Sequence, residues 1–303
     1  MQCLKCHILI VPLDLAHYGL HPQCFKEWFN SPNLSEFVSL QRRSDTTSNQ
    51  SEYLTSHNTS FFHGKFKKYS ALLNHETYIL KMRQEDAPEL PEVEYLCNQI
   101  GKLLNVPVAE FYFINFNNER TFVTKSFINS IEPINLQHIY RYRTIDQHHF
   151  EGLLQVITKE TKSHYDIKIF IKTILFDALI GNHDRHGRNL AFILTAKSTS
   201  LSPIYDNVSY LSLESGNMLK ADFNPFGKIS TKATQEPSMQ DYVKELKRLN
   251  YHYDLEDFYR TIKLPIILKC VDNSFCSSLM KVAMSNLIIK RFKELEDELY
   301  NLS

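Results

Sequence analysis

The sequence predicts an α+β fold in which a sheet-rich first half precedes a helix-rich second half. Three observations predict it. Short β-branched and aromatic runs cluster between residues 69 and 127, around one helical pattern. Helical periods occupy residues 167–180, 238–249, 254–263 and 278–302. A polar loop, Gly181 to Asn189, follows the most apolar of these helices and leads into a short run of strand character.

Composition bounds the class. The chain has 303 residues, enough to bury a sizeable core. Hydrophobic residues make up 43% and charged residues 22%, a profile that excludes an intrinsically disordered chain. Lys and Arg together number 34, as do Asp and Glu, so no global charge points to nucleic acid or an anionic membrane. The apolar stretch at 167–180 is broken by Lys168, Lys172 and Asp177 and falls short of the roughly 20 residues that span a bilayer. The opening Met1-Gln-Cys-Leu-Lys-Cys6 lacks the charged-then-apolar order of a secretory signal. The expectation is a cytoplasmic protein with six reduced cysteines, no membrane partner and no direct nucleic-acid contact.

From the N-terminus, residues 1–30 form a small module with its own Cys and His spacing. Residues 31–127 form the sheet-rich part. Within it, residues 43–60 are rich in Ser, Thr and Asn and read as a mobile loop. Residues 69–73 and 77–82 read as paired strands about Asn74-His75-Glu76. Pro91 opens a helix that Val93, Leu96, Cys97, Ile100, Leu103 and Leu104 continue at helical spacing. Residues 109–114 and 121–127 are two further strands. Residues 128–303 form the helical part, where 189–194 and 202–205 read as short strands flanking a polar turn.

The residues that carry chemistry lie beside that turn. Asp184 and Asn189 are five positions apart in the polar loop, and Asp206 closes the apolar run Pro203-Ile-Tyr205. Phosphoryl transfer needs a carboxylate to orient a hydroxyl and take its proton. It also needs an amide oxygen and a second carboxylate to hold magnesium against phosphates. Asp184 fits the base, and Asn189 and Asp206 fit the metal ligands. Taken alone, an Asp and an Asn at this spacing are ordinary loop punctuation. Their place after a buried helix, with a second Asp downstream, argues for more. Lys81 completes the set, late in the strand Tyr78-Ile-Leu-Lys81, where a lysine reaches nucleotide phosphates. Its expected partner is a Glu on the next helix, Glu94 or the competing Glu92. Loss of that pair is expected to cost catalysis more than folding.

At these residues the sequence resembles the HipA family of bacterial Ser/Thr kinases, including its short HipT-type members. The resemblance is carried by Tyr78-Ile-Leu-Lys81, Pro88-Glu-Leu-Pro-Glu-Val-Glu-Tyr95, Ile180-Gly-Asn-His-Asp-Arg-His-Gly-Arg-Asn189 and Pro203-Ile-Tyr-Asp-Asn-Val-Ser209, in that order. It implies a two-lobed protein-kinase-like fold that uses ATP and Mg2+. It also implies that Lys125-Ser126-Phe127 is the hinge facing adenine and that His186 lies near the nucleotide. Family members carry a Gly-rich loop before the lysine strand. Here that region, residues 60–70, has the single Gly64, with Lys65, Lys67 and Lys68 as added positive charge. The family's regulatory serines do not align cleanly, which leaves Ser56, Thr59 and Ser60 as the candidates for autophosphorylation.

The family further implies the toxin of a toxin–antitoxin system, with an aminoacyl-tRNA synthetase as the analogous protein substrate. This chain is too short at its start for the extra N-terminal subdomain of full-length HipA. A small antitoxin resembling that missing piece, or a DNA-binding antitoxin, is the implied partner. Two rival functions differ in class: a nucleotide-binding scaffold without catalysis, and an atypical kinase for a lipid or small molecule.

Cys3-x2-Cys6 and His21-x2-Cys24 form two closely spaced ligand pairs, a set that suits a structural Zn2+. Short HipA-like proteins share this opening. The plain alternative is reduced thiols, with His21-Pro22 starting a helix.

Overall fold

The structure is a computed structural model that describes residues 1–12, 15–43, 68–128, 134–142, 149–187, 189–220 and 227–300. Gly64, Ser56, Thr59, Ser60, Lys65, Lys67 and all but the first residue of the expected 43–60 loop lie outside the described residues. The chain divides into two compact units. One comprises Met1–Tyr95 and Ala109–Asn129, the other Leu96–Val108 and Ser130–Ser303. The α+β class expected from the sequence is the one observed.

The first unit is built on a five-stranded antiparallel sheet. Its strands are β1 (Val38–Arg43), β2 (Lys68–Leu73), β3 (Glu76–Met82), β4 (Phe111–Phe116) and β5 (Glu119–Lys125), ordered β1-β2-β3-β5-β4. Two hairpins are closed by two-residue turns. Leu73 pairs with Glu76 around Asn74 and His75, and Phe116 pairs with Glu119 around Asn117 and Asn118. All four turn residues have positive φ, between 49° and 66°. That geometry matches the twist of the flanking strands, and Asn adopts it at low cost.

Each face of this sheet has its own cover, because side chains alternate along a strand. Tyr78 and Tyr112 point to one face, where they meet Phe29 of helix α1 (Pro22–Phe29) at ring separations of 5.7 and 4.5 Å. Phe37 joins Tyr78 and Phe29 there. Phe111 and Phe113 point to the other face, against Tyr95 of helix α2 (Leu90–Leu103). Burying each such ring is worth about 1.5–3 kcal/mol. Lys81 lies on the α2 face, 5.6 Å from the ring centre of Phe122.

The second unit contains α3 (Phe150–Thr161), α4 (His164–Ile180), α5 (Met239–Arg248), α6 (His252–Thr261), α7 (Leu264–Asp272) and α8 (Ser278–Tyr300). A three-stranded antiparallel sheet of β6 (Asn135–His138), β7 (Ala191–Leu194) and β8 (Thr199–Leu201) accompanies them. Helix α4 is apolar on nearly every side and accordingly buried. Ser163 caps its start by accepting from the Asp166 N–H. The Asp166 carboxylate accepts from the Leu201 N–H at 3.0 Å and so fixes β8 to the same end. At the other end Gly181 adopts φ 70° and turns the chain into the polar loop.

Several elements differ from the sequence reading. Residues 202–205 are not a strand: only Ile204 forms a bridge, parallel, with Val108. Asp206 therefore follows an isolated bridge rather than ending a strand. Strand β1, with the polar sequence Val-Ser-Leu-Gln-Arg-Arg, is an edge strand, where charge is favoured and hydrophobic alternation is weak. Helix α3 is a further element, and its Phe150, Leu153, Leu154 and Ile157 recur at helical spacing. Helix α7 is a nine-residue apolar run, too short for periodicity to separate helix from strand.

Gly181→Ala should destabilise the fold by about 1–2 kcal/mol, since a Cβ is disfavoured at its left-handed φ. Urea unfolding of the two proteins measures this, and coincident midpoints would refute the capping role.

Candidate active site

The polar loop after α4 is held by its own side chains. Asn182 donates to Asp177 Oδ1 at 2.9 Å, and its Oδ1 accepts from the Asp184 N–H at 3.0 Å. Asn189 closes the far end. Its Nδ2 donates to the Asp184 carbonyl at 2.8 Å and its Oδ1 accepts from the His186 N–H at 2.7 Å. The amide oxygen has a second lone pair that can meet a cation.

Arg185, unremarked in the sequence, is the centre of this region. It is buried and forms a bidentate pair with Asp177, at 2.7 Å from Nε and 3.0 Å from Nη2. Nη2 also donates to Asn207 Oδ1 at 2.6 Å, and Nη1 to the Tyr205 carbonyl at 2.8 Å. One guanidinium thus joins the end of α4, the polar loop and the 203–207 segment. Asn207 in turn donates to Asn98 of α2 at 2.9 Å. Burial alone would depress the Arg185 pKa, but the Asp177 carboxylate beside it more than offsets this and raises it. Burial pushes the Asp177 carboxyl upward. Bidentate contact with a group that stays cationic at every accessible pH keeps it the anion of the pair.

On this frame the candidate acidic groups differ in exposure. Asp184 is 65% exposed at its side chain, so its carboxylate is available to a substrate. Lys228, which no sequence motif marks, donates to Asp184 Oδ1 at 2.6 Å. His186 is half-buried. Burial is the main cause that lowers its pKa, with the nearby Asp184 opposing and Lys228 assisting, so its ring is neutral at pH 7. Asp206 is partly exposed and has φ 55°, a left-handed conformation that Asp tolerates better than most residues. Residues held in such sparsely populated regions cluster at functional sites. The oxygen donors of Asn189 and Asp206 are the type that suits magnesium.

The first unit supplies the remaining candidates. Lys81 is buried and donates to Glu94 Oε1 in a buried ion pair. Glu92 is engaged instead by Arg83, with Arg120 at 3.6 Å. Because Lys81 and Glu94 are both buried, loss of the pair carries a folding cost beside the expected catalytic one. Removing one partner leaves the other charge buried and costs about 3–5 kcal/mol. Lys125 lies 3.4 Å from Glu76. The Ser126 N–H is taken by the Thr77 carbonyl at 2.9 Å, and its hydroxyl bonds the Ile128 backbone. Phe127 directly follows them. The ligand atoms of Cys3, Cys6, His21 and Cys24 all lie within 4.8 Å of one another.

No helix among the described residues is long and apolar enough to cross a membrane. Comparison with known proteins adds the lineage. A Haemophilus influenzae protein named "Putative kinase" is 25% identical over 166 residues, 48% of each chain. The chain thus aligns with about half the length of this curated relative. The crystal structure of the Helicobacter pylori proinflammatory kinase CtkA is similar at TM-score 0.66 and 19% identity, over 78% of this chain and 91% of that one. HipA from Shewanella oneidensis MR-1, solved with HipB and operator DNA, is similar at TM-score 0.60 and 12% identity, over 88% and 75%. Both structural likenesses concern the fold. The family model of the HipA-like C-terminal domain matches residues 59–272, most of the chain. On that match the chain belongs to the HipA-like family.

Proposed function

We propose that this chain is an ATP- and magnesium-dependent Ser/Thr kinase that phosphorylates a cellular protein. The observation that carries the reading is an exposed carboxylate, Asp184, on a loop that Arg185 and Asn189 otherwise fix in place. In catalysis by positioning, a rigidly placed base with a solvent-accessible carboxylate is what the reaction needs.

In this reading Asp184 orients the attacking hydroxyl and accepts its proton. Lys228 holds that carboxylate in its working direction. Asn189 and Asp206 present oxygens to magnesium. Lys81, aligned by Glu94, contacts the α- and β-phosphates. Bound Mg-ATP supplies the phosphoryl group and screens its charge. Neutral His186 adds no positive charge beside the base. Lys125, Ser126 and Phe127 serve as the hinge and Gly64 as part of the phosphate loop.

Membership of the HipA-like family supports the kinase activity. The Shewanella neighbour, described as part of a toxin–antitoxin system with HipB, supports a toxin role and an antitoxin partner. The short HipT-like form and an aminoacyl-tRNA synthetase substrate follow from the resemblance of the motifs.

Labelled ATP incubated with cell lysate should mark protein on Ser or Thr with wild type and not with Asp184→Asn. Label confined to lipid or small molecules would overturn the protein-kinase reading. Asp184→Asn should lower the transfer rate at least a hundredfold while the unfolding midpoint stays put. A loss under about tenfold, near 1.4 kcal/mol of barrier, would remove Asp184 from the chemistry.

Lys81→Met should lose both transfer and stability. The double variant Lys81→Met/Glu94→Gln should recover most of the stability and none of the transfer. Recovery of both would make the pair purely structural.

A further inference from the structure

We propose that Cys3, Cys6, His21 and Cys24 bind one structural zinc ion, which fastens the N-terminal module to the sheet face opposite Lys81. The two halves of the site come from separate local structures. Cys3 and Cys6 lie on a tight turn in which the His7 N–H bonds the Cys3 carbonyl and the Cys3 N–H bonds the Ile8 carbonyl, both at 2.9 Å. His21 and Cys24 flank the start of α1, just after a second turn in which His17 and Leu20 exchange backbone bonds of 3.0 and 2.9 Å. His21 occupies the N-cap position but makes no side-chain cap bond, since its ring turns toward the sulfurs instead.

The distances fit the ion. Zinc–sulfur bonds of about 2.3 Å and zinc–nitrogen bonds of about 2.0 Å place tetrahedral ligand atoms roughly 3.5–3.8 Å apart. His21 Nδ1 lies 3.4 Å from Cys6 Sγ and 3.9 Å from Cys24 Sγ, and all four ligand atoms lie within 4.8 Å of one another. Three sulfurs and one imidazole close a tetrahedron with no open position, the pattern of a structural rather than a catalytic site.

The surroundings supply what such a site uses. His21 Nε2 lies 3.4 Å from the Leu9 carbonyl. A proton donated there leaves Nδ1 as the lone-pair atom facing the sulfurs. Cys3 itself is fully buried, and Leu4, Ile10, Leu20 and Phe25 of the same module are buried as well.

The position explains the need. A module of about 30 residues buries too little apolar surface to order itself, and a metal is a common remedy. Once ordered, α1 places Phe29 against Tyr78 and Tyr112 of the sheet. Tyr78 and Lys81 are three residues apart on β3, on opposite faces. The ion therefore supports the strand that holds the lysine without touching the chemistry.

Full-length protein purified without chelator should carry about one zinc per chain by plasma mass spectrometry. Cys6→Ser and Cys24→Ser should each carry less than about a fifth of that, while the control Cys270→Ser keeps it. Cobalt exchanged into wild type should give the visible absorption of a tetrahedral thiolate site. A chelator should lower the melting temperature of wild type. Wild-type protein that is folded, free of zinc, silent with cobalt and indifferent to chelator would overturn the site, as would iron in place of zinc.

Discussion

A buried guanidinium organises the second unit. Arg185 reaches Asp177 at the end of α4, the carbonyl of Tyr205 and the side chain of Asn207. Sequestering such a charge is costly unless every donor is matched, and here the partners come from three separate segments. Those segments can meet only one way, because a guanidinium is planar and its donors point in fixed directions. Asp184 precedes the anchored Arg185, and Asp206 follows the anchored Tyr205. Each candidate acid is thus one residue from a fixed point yet keeps its own carboxylate exposed or partly exposed. Stability and the proposed chemistry are separated along the chain by a single peptide bond.

The sheet of the first unit packs its two faces differently. One face of β3 packs Tyr78 into the aromatic cluster of Phe29, Phe37 and Tyr112. The other face presents Lys81 to Glu94 and the Phe122 ring. A lysine stem buried against apolar neighbours, with its ammonium matched by one carboxylate, is a pre-aimed charge. Burial strengthens that aim, and for the same reason neither charge can be removed singly without disturbing the fold.

Much of this was legible in the sequence, wherever the cause was local. Asn74-His75 between alternating runs gives a hairpin, and the apolar length of α4 gives a buried helix ending at Gly181. Lys81 could be placed because its own strand announces itself. What was hidden depends on distant partners. Arg185 sits in a polar loop, where an arginine is ordinarily solvent-facing. Only the approach of Asn207, 22 positions away, makes it a buried hub. Lys228 is one lysine among many until it meets Asp184, 44 positions upstream. Strand β1 is an edge whose sequence records solvent more than its neighbour, so alternation fades. Helix α3 is a different case, since its helical period is local and present in the sequence.

Asp206 stands in a left-handed backbone conformation. Only Gly, Asn and Asp enter that region readily, which bears on how a chain of this family can diverge. One nucleotide change turns an Asp codon into an Asn codon, erases the negative charge and keeps the turn. On the proposed metal-binding role of Asp206, a catalytically silent descendant with the same fold is a single step away. Most other replacements at this position would also add about 1–2 kcal/mol of backbone strain.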